Sequence, residues 1–231
     1  MKIMKPVRTN VIIFFAVVAT LLFACQSEES DIVQDDTENL LPGSELATQL
    51  IRVTQYPTSA DNIIDGSSCF SVNLPVVLKA NGQQLIIYDA DDFSLIEAVF
   101  NEFDDDVDGV EMEFPVIATR PDYSEFVIDN QEQWEAAANC NGTDAMHDLS
   151  CMRFNYPLSV NTYDVENQIA DVAVMNNKAD FNEFLHAMSP GILAGVAYPV
   201  RLLNPNGFQT SLNSNELLLM EINTNALLCE E

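Results

Sequence analysis

Five cysteines and one aspartate-rich loop are the parts of this 231-residue chain whose residue types and spacing could do chemistry. Cys25 closes an apolar run, Val11 to Ala24, that follows Lys2, Lys5 and Arg8. Positive residues before a short hydrophobic stretch mark a secretory signal peptide. The run is shorter than the ~20 apolar residues of a membrane-crossing helix. Leu22-Phe23-Ala24-Cys25 has the form of a lipobox, in which the thiol is acylated and the cysteine becomes the first residue of the mature chain. Several acyl chains on one residue anchor a protein stably, whereas one alone is marginal. An ordinary signal with a chance cysteine is the alternative. Acylation is favoured because the cysteine stands where a small-residue cleavage site belongs.

Cys69, Cys140, Cys151 and Cys229 remain. An even count in an exported chain reads as two disulfides, and four cysteines allow three pairings. Cys69 lies six residues before Pro75 and Cys151 six before Pro157, while Cys140 and Cys229 follow helical segments. One cysteine thus opens each half of the chain and another closes it, which predicts Cys69–Cys140 and Cys151–Cys229. No Cys-x-x-Cys spacing or paired histidine supports a zinc site instead.

Asp104-Asp105-Asp106-Val107-Asp108-Gly109 has the opening of a calcium loop, in which oxygen ligands converge around a sharp turn. Asp104, Asp106, Asp108 and the Val110 carbonyl would be the ligands. Pro115 stands where such a loop carries its bidentate carboxylate, so a solvated acidic loop is the preferred reading and calcium the alternative. His147 and His186 are far apart, and no Gly-x-Ser-x-Gly or His-Glu-x-x-His motif occurs. The expectation is a protein that is not an enzyme.

The elements that must position these residues show a period. Leu74-Pro75, Phe114-Pro115, Tyr156-Pro157 and Tyr198-Pro199 place prolines 40, 42 and 42 residues apart, and a fixed period is the mark of a repeated unit. Around each step apolar residues alternate with polar ones, as in Val110, Met112, Phe114, Val116 and Ala118. Period two with one apolar face predicts a half-buried strand. Proline donates no ladder hydrogen bond, so its position predicts an edge or a bulge. Turns follow at Asn81-Gly82, Arg120-Pro121-Asp122, Asp164 to Asn167 and Asn206-Gly207. Second strands follow the turns and end at Asp89, Asn130, Asn176 and Asn213, types that suit helix N-caps. Helical spacing comes next: Phe93, Ile96, Phe100, Phe103; then Trp134, Ala137, Ala138; then Phe181, Phe184, Leu185, Met188; then Leu217, Met220, Leu227. The fold class is therefore α+β: four ββα repeats forming two tandem ββαββα modules, each a four-stranded, mostly antiparallel sheet with helices on one face. The expected domains are a signal peptide (1–24), a lipidated acidic tether (25–65), a first module (66–145) and a second (148–231).

Nine basic residues stand against 36 acidic ones. Removing the signal leaves six, for a mature net charge of −30. Nucleic acid and bare anionic membranes are disfavoured as partners, since both require basic patches. Glu28, Glu29, Asp31, Asp35, Asp36 and Glu38 lie in a stretch without apolar periodicity, which suits a solvated tether.

Asp61-Asn62-Ile63-Ile64-Asp65, leading to Cys69-Phe70-Ser71-Val72-Asn73-Leu74-Pro75, resembles a family of uncharacterised Bacteroidota lipoproteins. The likeness continues through Asp104-Asp105-Asp106, Glu113-Phe114-Pro115 and Cys151-Met152-Arg153-Phe154-Asn155-Tyr156-Pro157, and spans about residues 45–231. It implies location and repeat architecture only and carries no active-site residues. The acidic stretch after Cys25 resembles the surface-export signal of such lipoproteins. Together these readings predict an outer-membrane, surface-displayed lipoprotein of binding or scaffolding type. It would be held to the membrane by its lipid and present its modules to a protein or glycan ligand. A calcium-assisted glycan- or protein-binding module is the alternative, and a hydrolase using surface carboxylates is the least favoured reading.

Overall fold

A computed structural model describes residues 39–103 and 105–229. Cys25, Asp104, the signal peptide and tether residues 25–38 lie outside the described residues. The fold is mixed α/β, with six α-helices and four small antiparallel sheets among the described residues. Its core divides into two hydrophobic clusters. One is built from residues between Ile64 and Trp134, and the other from Leu40 to Val53 together with Leu149 to Ile222.

The first cluster is organised by one interrupted ribbon. Strands β1 (Ser71–Val72) and β2 (Val76–Ala80) run antiparallel to β4 (Val110–Met112) and β5 (Val116–Thr119). β1 pairs with β5 through Val72↔Ala118, and β2 pairs with β4 through Leu78↔Met112. Both pairings belong to a single register, which brings Pro75 opposite Pro115. Asn73 N donates to Ile117 O at 2.8 Å and Glu113 N to Val77 O at 3.0 Å, so the ladder resumes on either side of the prolines. Two facing residues without an amide hydrogen cannot bridge, and the ribbon divides there into two sheets. Strand β3 (Gln83–Ile87) adds to β2 at one end, and β6 (Glu125–Ile128) adds to β5 at the other.

The second cluster has the same plan. Strands β7 (Arg153–Phe154) and β8 (Leu158–Asp164) face β10 (Ile192–Val196) and β11 (Val200–Leu203), with Leu202↔Phe154 and Val196↔Val160 in one register. That register sets Pro157 opposite Pro199. Strands β9 (Ile169–Met175) and β12 (Gln209–Leu212) flank it. The peptide bonds before Pro75, Pro115, Pro157 and Pro199 are cis.

Each hairpin leads into a helix that covers the inner sheet face: α3 (Phe93–Phe100), α4 (Gln131–Ala137), α5 (Lys178–Ala187) and α6 (Asn215–Asn225). The helix starts are locally encoded. Asn130 and Asn177 accept from the amides of Gln133 and Asp180, whose side chains reach back to the amides of Asp129 and Asn176. This reciprocal arrangement satisfies donors that a helix N-terminus otherwise leaves orphaned.

Several expectations are corrected. The sheets are three-stranded rather than four-stranded, because each ribbon divides at its prolines. The tether does not extend to residue 65: α1 (Glu45–Thr54) and α2 (Asn62–Asp65) are folded, and Leu46, Leu50 and Val53 of α1 are buried in the second cluster. Their i, i+4, i+7 spacing is the apolar stripe of an amphipathic helix. The caps of α5 and α6 are Asn177 and Ser214, one residue beyond Asn176 and Asn213. Phe103 lies past the end of α3 and is 64% exposed, and α6 buries Leu218 and Ile222 rather than Leu217, Met220 and Leu227.

Candidate binding site at the seam between the two cores

The segment that leaves α1 is polar and buried, an expensive combination unless each group is hydrogen-bonded. Arg52 Nε donates to His147 O at 3.0 Å, and Gln55 Nε2 to Met146 O at 3.3 Å. Asn182 Nδ2, from α5, donates to Thr54 Oγ1 at 3.2 Å. Thr58 Oγ1 donates to Ser68 O at 2.7 Å. Asp148 accepts from the amide and hydroxyl of Ser59 and from the amide of Ser150. Burial pushes its carboxyl up, but the hydrogen bonds from Ser150 and Ser59 outweigh this and hold it below the usual range. Lys178, the first residue of α5, is pushed down to about 8 by burial, with Asp148 opposing and Arg153 adding to the shift.

The turn between β5 and β6 docks onto the same segment. Tyr56 N donates to Pro121 O at 2.8 Å, Tyr123 Oη donates to Thr54 O at 2.9 Å, and the two tyrosine rings meet edge to face at 5.5 Å. Tyr123 has φ 69°, a left-handed conformation uncommon for a residue with a bulky side chain. Burial, and then the neighbouring Tyr56, raise its phenol above the ordinary range, so it stays a neutral donor.

A concavity of about 840 Å³ opens beside this contact, lined by Tyr56, Asp61, Asn73, Phe93, Tyr123 and Glu125 among others. Asn73 Nδ2 donates to Glu125 Oε1 at 2.9 Å, and its Oδ1 accepts from Thr119 Oγ1 at 2.7 Å. Asp61 is buried and accepts from Val72 N at 2.6 Å. Burial raises its carboxyl to about 6, against the Val72 amide and the Ser71 hydroxyl. Aromatic faces with a few convergent polar groups are the chemistry of an organic-ligand site. None of these residues was singled out in the sequence as a site. They come from four separate segments, and only the tertiary fold brings them together.

The residues that the sequence did single out lie elsewhere. Cys69–Cys140 and Cys151–Cys229 are bonded, with Cα–Cα distances of 5.6 and 5.4 Å, in the expected pairing. Asp106 and Asp108 do converge, but on an amide: Asn81 Nδ2 donates to Asp106 Oδ2 at 3.1 Å and to Asp108 Oδ1 at 3.0 Å, while Asn81 Oδ1 accepts from Gly109 N. Val110 is in β4, opposite Ala80. Among the described residues no group of three carboxylate, histidine or cysteine side chains is placed to hold a metal. His147 borders the seam, and His186 is exposed on α5. Among the described residues no helix is long and apolar enough to cross a membrane.

Compared with known proteins, the chain matches no family model, no curated protein and no solved structure.

Proposed function

We propose that this chain is a non-catalytic binding or scaffolding lipoprotein of the uncharacterised Bacteroidota type it resembles. In this reading Cys25 is acylated, the anchor is in the outer membrane, and an acidic tether displays the folded part at the cell surface. The folded part is read as four ββα units in tandem, paired into two cystine-closed modules. The common plan of the two ribbons, the helix after each hairpin and the proline spacing support that duplication.

The observation that carries the binding reading is the seam concavity, where Tyr56, Phe93 and Tyr123 stand beside Asp61, Asn73 and Glu125. Tyr123 Oη donates to Thr54 O, and Asp61 Oδ2 accepts from Val72 N, so both help to fix the wall of the concavity. Incubating the mature chain with panels of glycans and peptides tests the reading. Saturable retention of one class, weakened about tenfold or more by Tyr56→Ala, is the expected result. Substrate turnover abolished by Asp61→Asn would replace it with a catalytic one. The anchor is tested separately by labelling with an alkynyl fatty acid, which Cys25→Ala should abolish. Equal labelling of the variant excludes Cys25 as the acylated residue.

A further inference from the structure

The interrupted ladder leaves a groove on the outer face of each ribbon. The first, about 540 Å³, runs along Asn73–Val77 and Glu113–Ile117 and is bordered by Ile86 and Tyr88. The second, about 470 Å³, runs along Asn155–Ser159, Ala197 and Pro199–Arg201. The backbone plan of the two is the same and their chemistry differs. Counting from the prolines, Val77 and Ile117 of the first groove stand where the second has Ser159 and Arg201, and Glu113 stands where the second has Ala197. Across the hairpins, Ile86 and Val127 face Val77 and Ile117, whereas the second groove has Val174 and Ser211 at those places. Ile86 and Ile117 are each 48% exposed, and Val127 and Tyr88 more so. Outward strand positions that are apolar in only one of two like-built ribbons are not required by the fold.

Charge separates the two halves as well. Residues 66–145 hold 17 acidic and two basic side chains, while residues 148–231 hold ten and three. One of the two basic groups, Arg120, is stacked on the Phe126 ring at 3.7 Å, and the other, Lys79, lies in register between Gln84 and Glu111. The apolar groove is thus set in the more negative half, with Glu113 on its wall. A second copy of this chain would bring like charge to it.

We propose that the groove at Pro75 and Pro115 docks an extended polypeptide segment carrying lysine or arginine beside valine- or leucine-like side chains. Val77, Ile86 and Ile117 would take the apolar side chains, and Glu113, whose Oε1 accepts from Gln84 Nε2 at 3.2 Å, the basic ones. A strand-like ligand presents alternate side chains on its two faces, so its valine face meets the apolar floor while its longer lysine or arginine side chains fold back over the rim toward Glu113, and apolar contact with a complementary charged rim is a common mode of peptide capture. The groove is distinct from the seam concavity, with only Asn73 and Leu74 lining both.

The test uses the full mature chain and a fluorescent peptide of about ten residues alternating lysine and valine, read by anisotropy. V77S/I117R, which gives the first groove the residues of the second, should weaken binding about tenfold or more. Both positions face outward, so the thermal midpoint should stay near that of the wild type. Glu113→Gln should weaken binding less and reduce its salt dependence, and Val174→Ser should leave it unchanged. Equal affinity of V77S/I117R and wild type overturns the proposal. So does equal binding of a glutamate–valine peptide, or no binding of the lysine peptide. A dimer that V77S/I117R dissolves would make the occupant a second copy, and it too would overturn the assignment. Retention that depends on Tyr56 but not on Val77 or Ile117 would leave the seam reading standing and remove this one.

Discussion

Asp61 and Asp65 are four residues apart at the two ends of α2, and both are driven toward the neutral acid. Burial raises Asp61 to about 6. Burial, and then the negative charge of Asp61, raises Asp65 to about 8, against the Ser67 amide. Both folded values exceed the 3.8 of the free side chain, so the folded protein binds these protons more tightly than the unfolded chain does. The stability they contribute is fully present below about 3.8 and is lost as pH rises through the folded values, toward 6 for one and 8 for the other. The slope is up to about 1.4 kcal/mol per pH unit while one proton is held only in the folded state. Urea unfolding of the wild type should therefore show declining stability between pH 4 and pH 8, net of other groups. Asp65→Asn keeps the acceptor for Ser67 N and removes the ionisation, so its profile should be flatter and at pH 8 it should be at least as stable as the wild type. Parallel profiles for the two proteins would show that Asp65 is not perturbed. Nothing in the sequence marked these carboxylates as buried. Two acids at i, i+4 ordinarily share a solvated helix face, and only the packing of α2 against Val72 and the first core changes that.

At the scale of elements, the strands, hairpins and three of the four covering helices were legible because each has a local cause. Strand parity is right on both sides of every proline: Phe70, Val72, Val76 and Leu78 point inward, as do Phe154, Leu158, Val200 and Leu202. Asn81 and Gly82 both have positive φ, 46° and 82°, as a tight hairpin turn requires. Helix α6 is legible but its buried face is not, because leucines and methionine surround it on all sides and the pattern has no clear phase. The partition of each ribbon was not legible either. That proline breaks a ladder is local knowledge, but that two prolines meet across it is a matter of register between segments about 40 residues apart. Helix α1 is masked by the acidic run it follows, although its stripe is regular. It separates two readings of residues 45–54. A tether would tolerate Leu50→Ala, whereas a helix whose Leu50 is fully buried should lose about 2–5 kcal/mol. Chemical denaturation of the two proteins decides between them, and an unchanged midpoint would restore the tether. Asn130→Ala, which removes the cap of α4, should cost about 1 kcal/mol in the same assay.

At the scale of the molecule, two separately closed cores share one polar seam, so how far they unfold together depends on the seam rather than on either core. Each disulfide lies within one half and crosses no boundary between the cores, with loops of 71 and 78 residues. Their stabilisation, about 4 kcal/mol each in the loop-entropy account, is therefore local to its own half. Coupling falls instead to groups such as Asp148, which joins the Ser59 segment to the start of the second core through Ser59 and Ser150. Its depressed carboxyl value gives the opposite pH dependence to the Asp61–Asp65 pair. The stability it supplies is present above about 3.8 and is lost as pH falls through its folded value. Asp148→Ala leaves two part-buried amides, of Ser59 and Ser150, without their acceptor and should cost about 1–3 kcal/mol. More specifically, it should split or broaden the calorimetric transition as the two cores begin to melt apart. Adding C69S/C140S should then lower only one component, and adding C151S/C229S only the other. If Asp148→Ala leaves a single sharp transition that both cysteine pairs shift equally, the cores are coupled by something other than this carboxylate, and the molecule behaves as one cooperative unit.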